Sequence, residues 1–184
     1  MIFSESTLRG AHVIELEPNR DDRGFFARSF CAEEFLARGL NPNVAQCNIS
    51  WNPARSTMRG MHYQVAPAQE AKLVRCTAGA IFDVIVDLRP GSPTQLQWIG
   101  VELTAGNHRM LFVPEGFAHG FLTLEDSTEV CYQMSEFHVA DTARGFRWDD
   151  PRFGIRWPLE PAVISERDRS WQDFSLTALE ELRP

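Results

Sequence analysis

The pattern of hydrophobic and polar positions through the central part of the chain is almost entirely that of β-strands, which predicts a β-rich fold. Between residues 44 and 132 the apolar runs have the length of strands, and turns rich in glycine, proline or asparagine separate them. The predicted strands in this region include Leu73–Cys76, Ala80–Leu88, Gln95–Leu103 and Met110–Val113. Several short strands with regular turns are typical of a sandwich or a barrel, so we expect a mainly β protein.

The flanking regions predict a few further elements. Ala11–Glu17 alternates and contains β-branched residues, which favours a strand, and Phe25–Phe30 predicts a second, shorter one. Ala32–Arg38 has its acidic residues first, its basic residue last and a glycine after it, as a short helix does. Leu176–Leu182 predicts a short amphipathic segment near the end of the chain.

The composition is that of an ordinary globular protein. The chain has 184 residues and a net charge of −7, which argues against nonspecific binding to nucleic acid. A local cluster of arginines would still allow an anionic small molecule to bind. Without repeats, low-complexity tracts or linkers, residues 1–184 are expected to form one domain.

The four cysteines, at positions 31, 47, 76 and 131, are widely spaced and form no CxxC pair. This pattern is typical of reduced thiols and not of a disulfide framework or a zinc site. The first residues do not resemble a signal peptide, and no apolar run approaches the ~20 residues that span a bilayer. We therefore expect a cytoplasmic protein.

Two histidines in glycine-containing runs indicate a pocket. His62 lies in the run RGMHYQ at 59–64, and His119 lies in the run PEGFAHGF at 114–121. The segments between them predict strands, so a barrel would bring the two side chains together. Each histidine alone is often a hydrogen-bonded core residue, but the pair favours a pocket.

A bound metal is not expected in this pocket. Metal sites of such barrels usually begin with an HxH run, and here the second histidine position is Gln64. Glu70 and His119 would complete only a weak set with His62, whereas transition metals favour several imidazole or thiolate ligands. A histidine without a metal acts as a general base when an acid orients it.

Three aspartates are candidates for that orienting acid: Asp83, Asp87 and Asp168. Asp87 is equally able to pair with Arg89 at a strand end. Asp168 lies in the charged run Ser165–Arg169, which by itself is interpreted as a solvated segment. The residues alone leave the choice open.

Other polar residues would suit a pocket. Lys72 begins a strand, where lysine is usually exposed, but inside a pocket its ammonium would stabilise an oxyanion. Tyr132, one of two tyrosines in the chain, is either a core residue or a proton donor opposite the histidine. Arg23 and Arg59 each precede a glycine, so that each is able to reach a phosphate where the backbone turns closely. Gln46 and Asn48 alternate with Cys47 and share one strand face.

Taken together in their order along the chain, these motifs resemble the dTDP-4-dehydrorhamnose 3,5-epimerase family. The matching runs are DDRGFF at 21–26, QCNIS at 46–50, RGMHYQ at 59–64, KLV at 72–74, DVIVDLR at 83–89, VPEGFAHGF at 113–121, RWDDP at 147–151 and ISERD at 164–168. The resemblance extends over nearly the whole chain.

The resemblance implies a cupin-type β-barrel (jelly roll) with short peripheral helices, usually a homodimer, with no metal and no organic cofactor. It implies a substrate in which a nucleotide diphosphate carries a 4-keto-6-deoxy sugar, dTDP-4-dehydro-6-deoxy-glucose above others. The reaction would be epimerisation at C3 and C5 in the biosynthesis of a rhamnose-type deoxysugar, for lipopolysaccharide or another product.

The resemblance also implies residue roles. His62 would be the base, Asp168 the acid that orients it, Tyr132 the proton donor, and Lys72 the group facing the ketone and enolate oxygen. The residues that would bind substrate are Arg23, Phe26, Gln46, Asn48, Arg59, His119 and His138.

Three positions depart from the family pattern on the substrate side. Arg28 and Ala143 stand where the family often has glutamate, and His138 stands where it often has tyrosine. The reaction class is therefore better supported than the substrate. The alternatives are an epimerase acting at one centre or on another nucleotide sugar, a 3,4-ketoisomerase, a metal-dependent cupin oxygenase and a non-catalytic binding module.

Overall fold

Two large β-sheets carry most of the computed structural model, which describes residues 1–182. The first sheet contains, in order of pairing, β1 (Ile2–Glu5), β2 (His12–Glu15), β10 (Met110–Val113), β7 (Lys72–Ala78), β12 (Thr128–Met134) and β5 (Gln46–Asn52). The second contains β13 (Ala143–Gly145), β6 (Thr57–Gln64), β11 (Phe117–Thr123), β8 (Ala80–Asp87) and β9 (Trp98–Thr104), with β14 (Val163–Ile164) parallel to β6.

The remaining elements are short. They are the hairpin of β3 (Asn19–Asp21) and β4 (Gly24–Phe26), helices α1 (Ala32–Leu36) and α2 (Glu166–Ser170), and 3-10 turns at Ala140–Thr142 and Leu176–Leu182. Strands that are distant in sequence lie side by side in both large sheets, as in a jelly roll. The prediction of a mainly β, cupin-type barrel with short peripheral helices is confirmed. No helix within residues 1–182 has the length and hydropathy needed to cross a membrane.

Most predicted strands are present, and two were placed wrongly in part. The strand predicted at Phe25–Phe30 ends at Phe26, because the chain turns inward there and Phe30 packs against Phe35 of α1 with ring centroids 5.0 Å apart. The strand predicted at Gln95–Leu103 begins only at Trp98. The preceding residues fold back on Asp87, whose carbonyl oxygen accepts the N–H of Leu96.

The position of β8 between two hydrophobic cores explains why its sequence is an almost continuous apolar run. Ile81 and Ile85 belong to the core between the two sheets. Val84 and Val86 belong to a second core on the other side, where Phe146 and other aromatic residues from the end of the chain cover the sheet. A strand that is buried on both faces has no reason to alternate.

A bulge between β6 and β11 sets the direction of two important side chains. His119 is opposite His62, but Phe121 is opposite Arg59, so β6 has one residue more than β11 over this stretch. In a regular strand, residues three apart point to opposite faces. The extra residue brings Arg59 and His62 to the same side of the sheet.

Glycine is required at position 60 within this bulge. Its φ is +125°, and a Cβ built there would lie 2.6 Å from the Cα of Gly120. Both facts exclude a larger residue, because the conformation is left-handed and the obstacle is backbone. The two strands approach each other closely only because both positions are glycine.

We expect Gly60→Ala to lower the free energy of unfolding by about 3 kcal/mol or more, from backbone strain together with overpacking. Gly106→Ala is the matched control, since its Cβ would meet only Thr104 Oγ1 at 3.8 Å. Urea unfolding followed by circular dichroism measures both. Equal effects of the two substitutions would contradict the role given to Gly60.

Candidate active site

A cavity of about 270 Å³ lies between the two sheets. Strands β5, β7 and β12 form one wall, and β6 and β11 form the other. The residues that line it are Gln46, Asn48, Arg59, His62, Tyr63, Gln64, Glu70, Lys72, His119, Phe121, Tyr132, Met134, His138, Ala143, Arg144, Arg167 and Asp168. Nine of the eleven residues predicted from sequence as catalytic or substrate-binding are among them: His62, Tyr132, Asp168, Lys72, Gln46, Asn48, Arg59, His119 and His138.

His62 and Asp168 form a hydrogen-bonded pair at the cavity wall. Nε2 of His62 lies 2.6 Å from Oδ1 of Asp168. An ionised carboxylate only accepts hydrogen bonds, so Nε2 carries the proton and Nδ1 is left with a free lone pair. A histidine in this tautomer is able to accept a proton at Nδ1, and its carboxylate partner stabilises the resulting cation.

Asp168 is buried, although its neighbours in sequence are exposed. Helix α2 begins after Ser165, whose hydroxyl accepts the backbone N–H of Asp168, and this cap turns the carboxylate into the barrel. Burial raises the pKa of Asp168, but the hydrogen bond and charge of His62 and the N–H of Gly60 outweigh burial and set the pKa below its usual value. The interpretation of Asp168 as part of a solvated run is therefore wrong.

The other two candidate aspartates have different partners. Asp83 Oδ1 lies 2.7 Å from Nε2 of His119, and its Oδ2 is buried and has no hydrogen-bond partner among residues 1–182. Asp87 pairs with Arg89 over 2.7 Å, but Asp87 is buried there and not on the surface. His62 and His119 thus each have their own carboxylate.

Tyr132 extends into the cavity from β12, on the sheet that faces His62. Burial raises the pKa of the Tyr132 phenol, so the hydroxyl keeps its proton at neutral pH. A base on one wall and a protonated phenol on the other are able to address opposite faces of a molecule bound between them.

Lys72 is the single lysine in the chain, and it is buried in the cavity. Its Nζ lies 2.9 Å from Oε1 of Glu70, which is buried as well. The position at the start of β7 suggested an exposed side chain, and that interpretation is wrong. The sequence does contain one indication that Lys72 has a special role, because it is a lone lysine among many arginines.

Arginine and amide side chains line the rest of the cavity. Arg59, near the start of β6, donates from Nε to Asn52 Oδ1 over 2.7 Å, which fixes its guanidinium. Gln46 and Asn48 face inward from β5, and Gln46 Oε1 accepts the backbone N–H of His138. These groups are suited to phosphate, hydroxyl and carbonyl oxygens.

Arg23 and Phe26 lie outside this cavity. Both belong to the β3–β4 hairpin and are strongly exposed, with 90% of the Arg23 side chain accessible to solvent. Arg23 pairs there with Asp21. Of the three departures from the family pattern, His138 and Ala143 line the cavity, and Arg28 lies outside it beside Glu34.

Several cavity residues were not found by sequence reasoning, among them Gln64 in a binding role, Arg144 and Arg167. Arg167 directly precedes Asp168 in the same charged run, so the side chains of both residues were interpreted as solvated. Glu70 was considered only as a metal ligand, and its carboxylate instead contacts Lys72 and Gln64. Within residues 1–182, no three or more histidine, cysteine or acidic side chains are grouped as a metal site.

The fold and cavity define a class, the sugar-nucleotide epimerases built on the cupin-type jelly roll. A solved 3,5-epimerase from Bacillus anthracis, with TDP and pyrophosphate bound, is 40% identical over 94% of this chain and 99% of that one, with a TM-score of 0.90. A 3′-monoepimerase from Streptomyces bikiniensis, in complex with dTDP-quinovose, is 32% identical over 96% and 89%, with a TM-score of 0.84.

Residues 5–175 match the model of the dTDP-4-dehydrorhamnose 3,5-epimerase family, and the chain belongs to that family. The dTDP-4-dehydrorhamnose 3,5-epimerase of Methanothermobacter thermautotrophicus is 44% identical over 173 residues, which cover 92% of each chain. The resemblance inferred from the motifs is thereby confirmed.

The lowered pKa of Asp168 predicts a pH-dependent contribution to stability. Because the folded pKa lies below the unfolded value of ~3.9, the contribution is complete above that value and disappears as the pH falls through the folded pKa. We expect Asp168→Asn to cost about 2 kcal/mol at neutral pH, as for a hydrogen bond to a charged group. The difference should close in acid.

Urea unfolding at a series of pH values measures this difference. Asp22→Asn is the control, because Asp22 is exposed. A difference between wild type and Asp168→Asn that stays constant down to the acid limit would contradict the assignment.

Proposed function

We propose that this protein epimerises dTDP-4-dehydro-6-deoxy-glucose at C3 and C5 without a cofactor, in the biosynthesis of a rhamnose-type deoxysugar. The observation that carries the proposal is the placement of the His62–Asp168 pair and Tyr132 on opposite walls of one cavity. Membership of the family supports the same reaction.

The first step requires a base. Both C3 and C5 are next to the C4 ketone, so their protons are weakly acidic. Nδ1 of His62 takes the proton, the C–H bonding electrons move into the enolate, and Asp168 stabilises the imidazolium that results. No oxidant or reductant is needed, because the carbon skeleton gains and loses only a proton.

The second step requires a proton from the other side, since return from His62 would restore the starting configuration. Tyr132 is the proposed donor. Its raised pKa favours the protonated phenol that this role needs. The His62 imidazolium then releases its proton to solvent and the Tyr132 phenolate takes one up, and two such cycles invert both centres.

The enolate oxygen needs positive charge nearby. We propose that Lys72 supplies it, because a fixed cation in a partly dry cavity stabilises an oxyanion more than water does. His119, held by Asp83 through Nε2, lines the same space, and its Nδ1 is able to accept a hydrogen bond from a sugar hydroxyl. Arg59 is the proposed contact for the diphosphate, with Gln46, Asn48 and His138 around the sugar nucleotide.

We expect the wild-type protein, given dTDP-4-dehydro-6-deoxy-glucose in deuterated water, to incorporate deuterium at both C3 and C5. His62→Asn should lower this exchange by about 10³-fold or more, the upper range of acid–base contributions. Tyr132→Phe should still exchange at the face of His62 but yield little inverted product. Proton NMR of the recovered sugar nucleotide measures all three.

Each variant is the control for the other, because they affect different proton transfers in the same cavity. Deuterium at one carbon only would indicate a single-centre epimerase. The relative from Streptomyces bikiniensis is described as an enzyme of this kind, a 3′-monoepimerase. Tight binding of the sugar nucleotide without exchange would indicate a binding module. Movement of the sugar carbonyl from C4 to C3 would indicate a 3,4-ketoisomerase. Normal inversion by Tyr132→Phe would remove Tyr132 from the donor role.

We further propose a homodimer in which each cavity receives Arg23 and Phe26 from the other subunit. Phe26 is 76% exposed, and the edge strand β5 exposes Ile49 and Trp51 on its outer side. Exposed aromatic and aliphatic groups of this kind on an unpaired strand edge favour association.

We also propose a cytoplasmic location, which the widely spaced free thiols favour.

A mixing experiment tests the shared cavity. Arg23→Ala and His62→Asn subunits, each weakly active alone, should regain roughly one quarter of wild-type activity when refolded together, because random pairing gives half the dimers one intact site. Light scattering gives the oligomeric state. If mixing restores nothing, or the protein is a monomer at assay concentration, the shared cavity is excluded.

A further inference from the structure

Glu70 is a buried carboxylate on the cavity wall that the proposed mechanism does not use. Its Oε1 lies 2.9 Å from Nζ of Lys72, and each residue is 8% exposed. Burial of a charged group is costly unless an opposite charge is in contact with it. Glu70 therefore makes a charged lysine compatible with this position.

The second oxygen of the Glu70 carboxylate is held as well. Nε2 of Gln64 donates to Glu70 Oε2 over 2.7 Å. The same amide donates to the carbonyl oxygen of Phe137 and accepts the N–H of Val139, so Gln64 is itself fixed by backbone groups. With both oxygens engaged, the carboxylate has one orientation.

This arrangement fixes the ammonium group in turn. A lysine ammonium has three N–H donors. Among the described residues, Glu70 is the one ion-pair partner that Nζ of Lys72 has, which leaves N–H donors of the ammonium for the cavity. The long side chain of Lys72 would otherwise have several rotamers open to it.

We propose that Glu70 is a positioning residue for Lys72, holding the ammonium where the enolate oxygen forms and affecting the reaction only through that lysine. The proposal rests on the function proposed above, in which Lys72 stabilises the enolate. It adds the group that pairs with the ammonium and holds it in place before the substrate arrives, and such a fixed charge is the source of electrostatic stabilisation in a pre-organised site.

Glu70→Gln is the sharpest substitution, because it keeps the shape and removes the charge. The two carboxylate oxygens of Glu70 face N–H groups of Lys72 and Gln64. A glutamine at position 70 would turn its NH₂ group toward one of these N–H groups, and two donors cannot bond to each other. Lys72→Met and the double variant Glu70→Gln/Lys72→Met complete a cycle, and the double variant leaves no buried charge unpaired. Glu15→Gln is the control, since Glu15 pairs with Arg109 outside the cavity.

We expect Glu70→Gln to lower the deuterium exchange rate at saturating substrate by about 10- to 100-fold with little change in KM, since small displacements of a catalytic group cost up to about 10²-fold. The same substitution in the Lys72→Met background should have no further effect. Glu15→Gln should match wild type. Thermal unfolding confirms that each variant is folded.

A second measurement needs no substrate. Since the chain has one lysine, protein grown with isotopically labelled lysine gives one side-chain nitrogen signal, that of Lys72. Its NMR chemical shift should move in Glu70→Gln and remain unchanged in Glu15→Gln. This readout keeps the proposal testable even if Lys72→Met does not fold.

Two results would overturn the proposal: unchanged exchange and an unchanged lysine signal in Glu70→Gln, or a further loss when Glu70→Gln is added to Lys72→Met. The second result would show that Glu70 acts independently of Lys72. Failure of the underlying function is distinguishable, because the wild-type protein itself would then exchange no deuterium. In that case an unmoved lysine signal would still refute the positioning of Lys72 by Glu70.

Discussion

The hydrogen bond between His62 and Asp168 is the contact on which the arrangement of the cavity depends. It joins residues 106 positions apart, so that a short helix late in the chain is part of the barrel wall. The same carboxylate accepts the N–H of Gly60, which lies in the bulge that directs His62 inward. The tautomer of the histidine, the position of α2 and the path of β6 therefore depend on one another.

The two sheets divide the proposed chemistry between them. The wall formed by β6 and β11 supplies the histidines, each with its own carboxylate, while the wall formed by β7 and β12 supplies Lys72 and Tyr132. A planar enolate held between these walls has its two faces exposed to different groups. Inversion needs this difference, and a jelly roll provides it because its two sheets face each other.

The sequence predicts the barrel and much of the cavity because both depend on local patterns. Apolar runs of strand length between turns predict the strands, and histidines beside glycines indicate where two strands approach closely. The residues did not decide the partner of His62, because sequence gives no distances from His62 to Asp83, Asp87 or Asp168, and the charged run around Asp168 favoured a solvated position. The resemblance to the family singled out Asp168. The bulge has no signature beyond Gly60, and the Glu70–Lys72 pair is visible only once both side chains are known to be buried.

The late position of Asp168 has a consequence for biosynthesis of the protein itself. Strands β1 to β13 all precede it in the chain, so the ribosome completes both walls of the cavity before the carboxylate that orients His62 is made. A prematurely terminated chain would contain the histidine, the lysine and the tyrosine but not the group that selects the histidine tautomer. Truncated products would thus lack the carboxylate on which the tautomer of His62 depends.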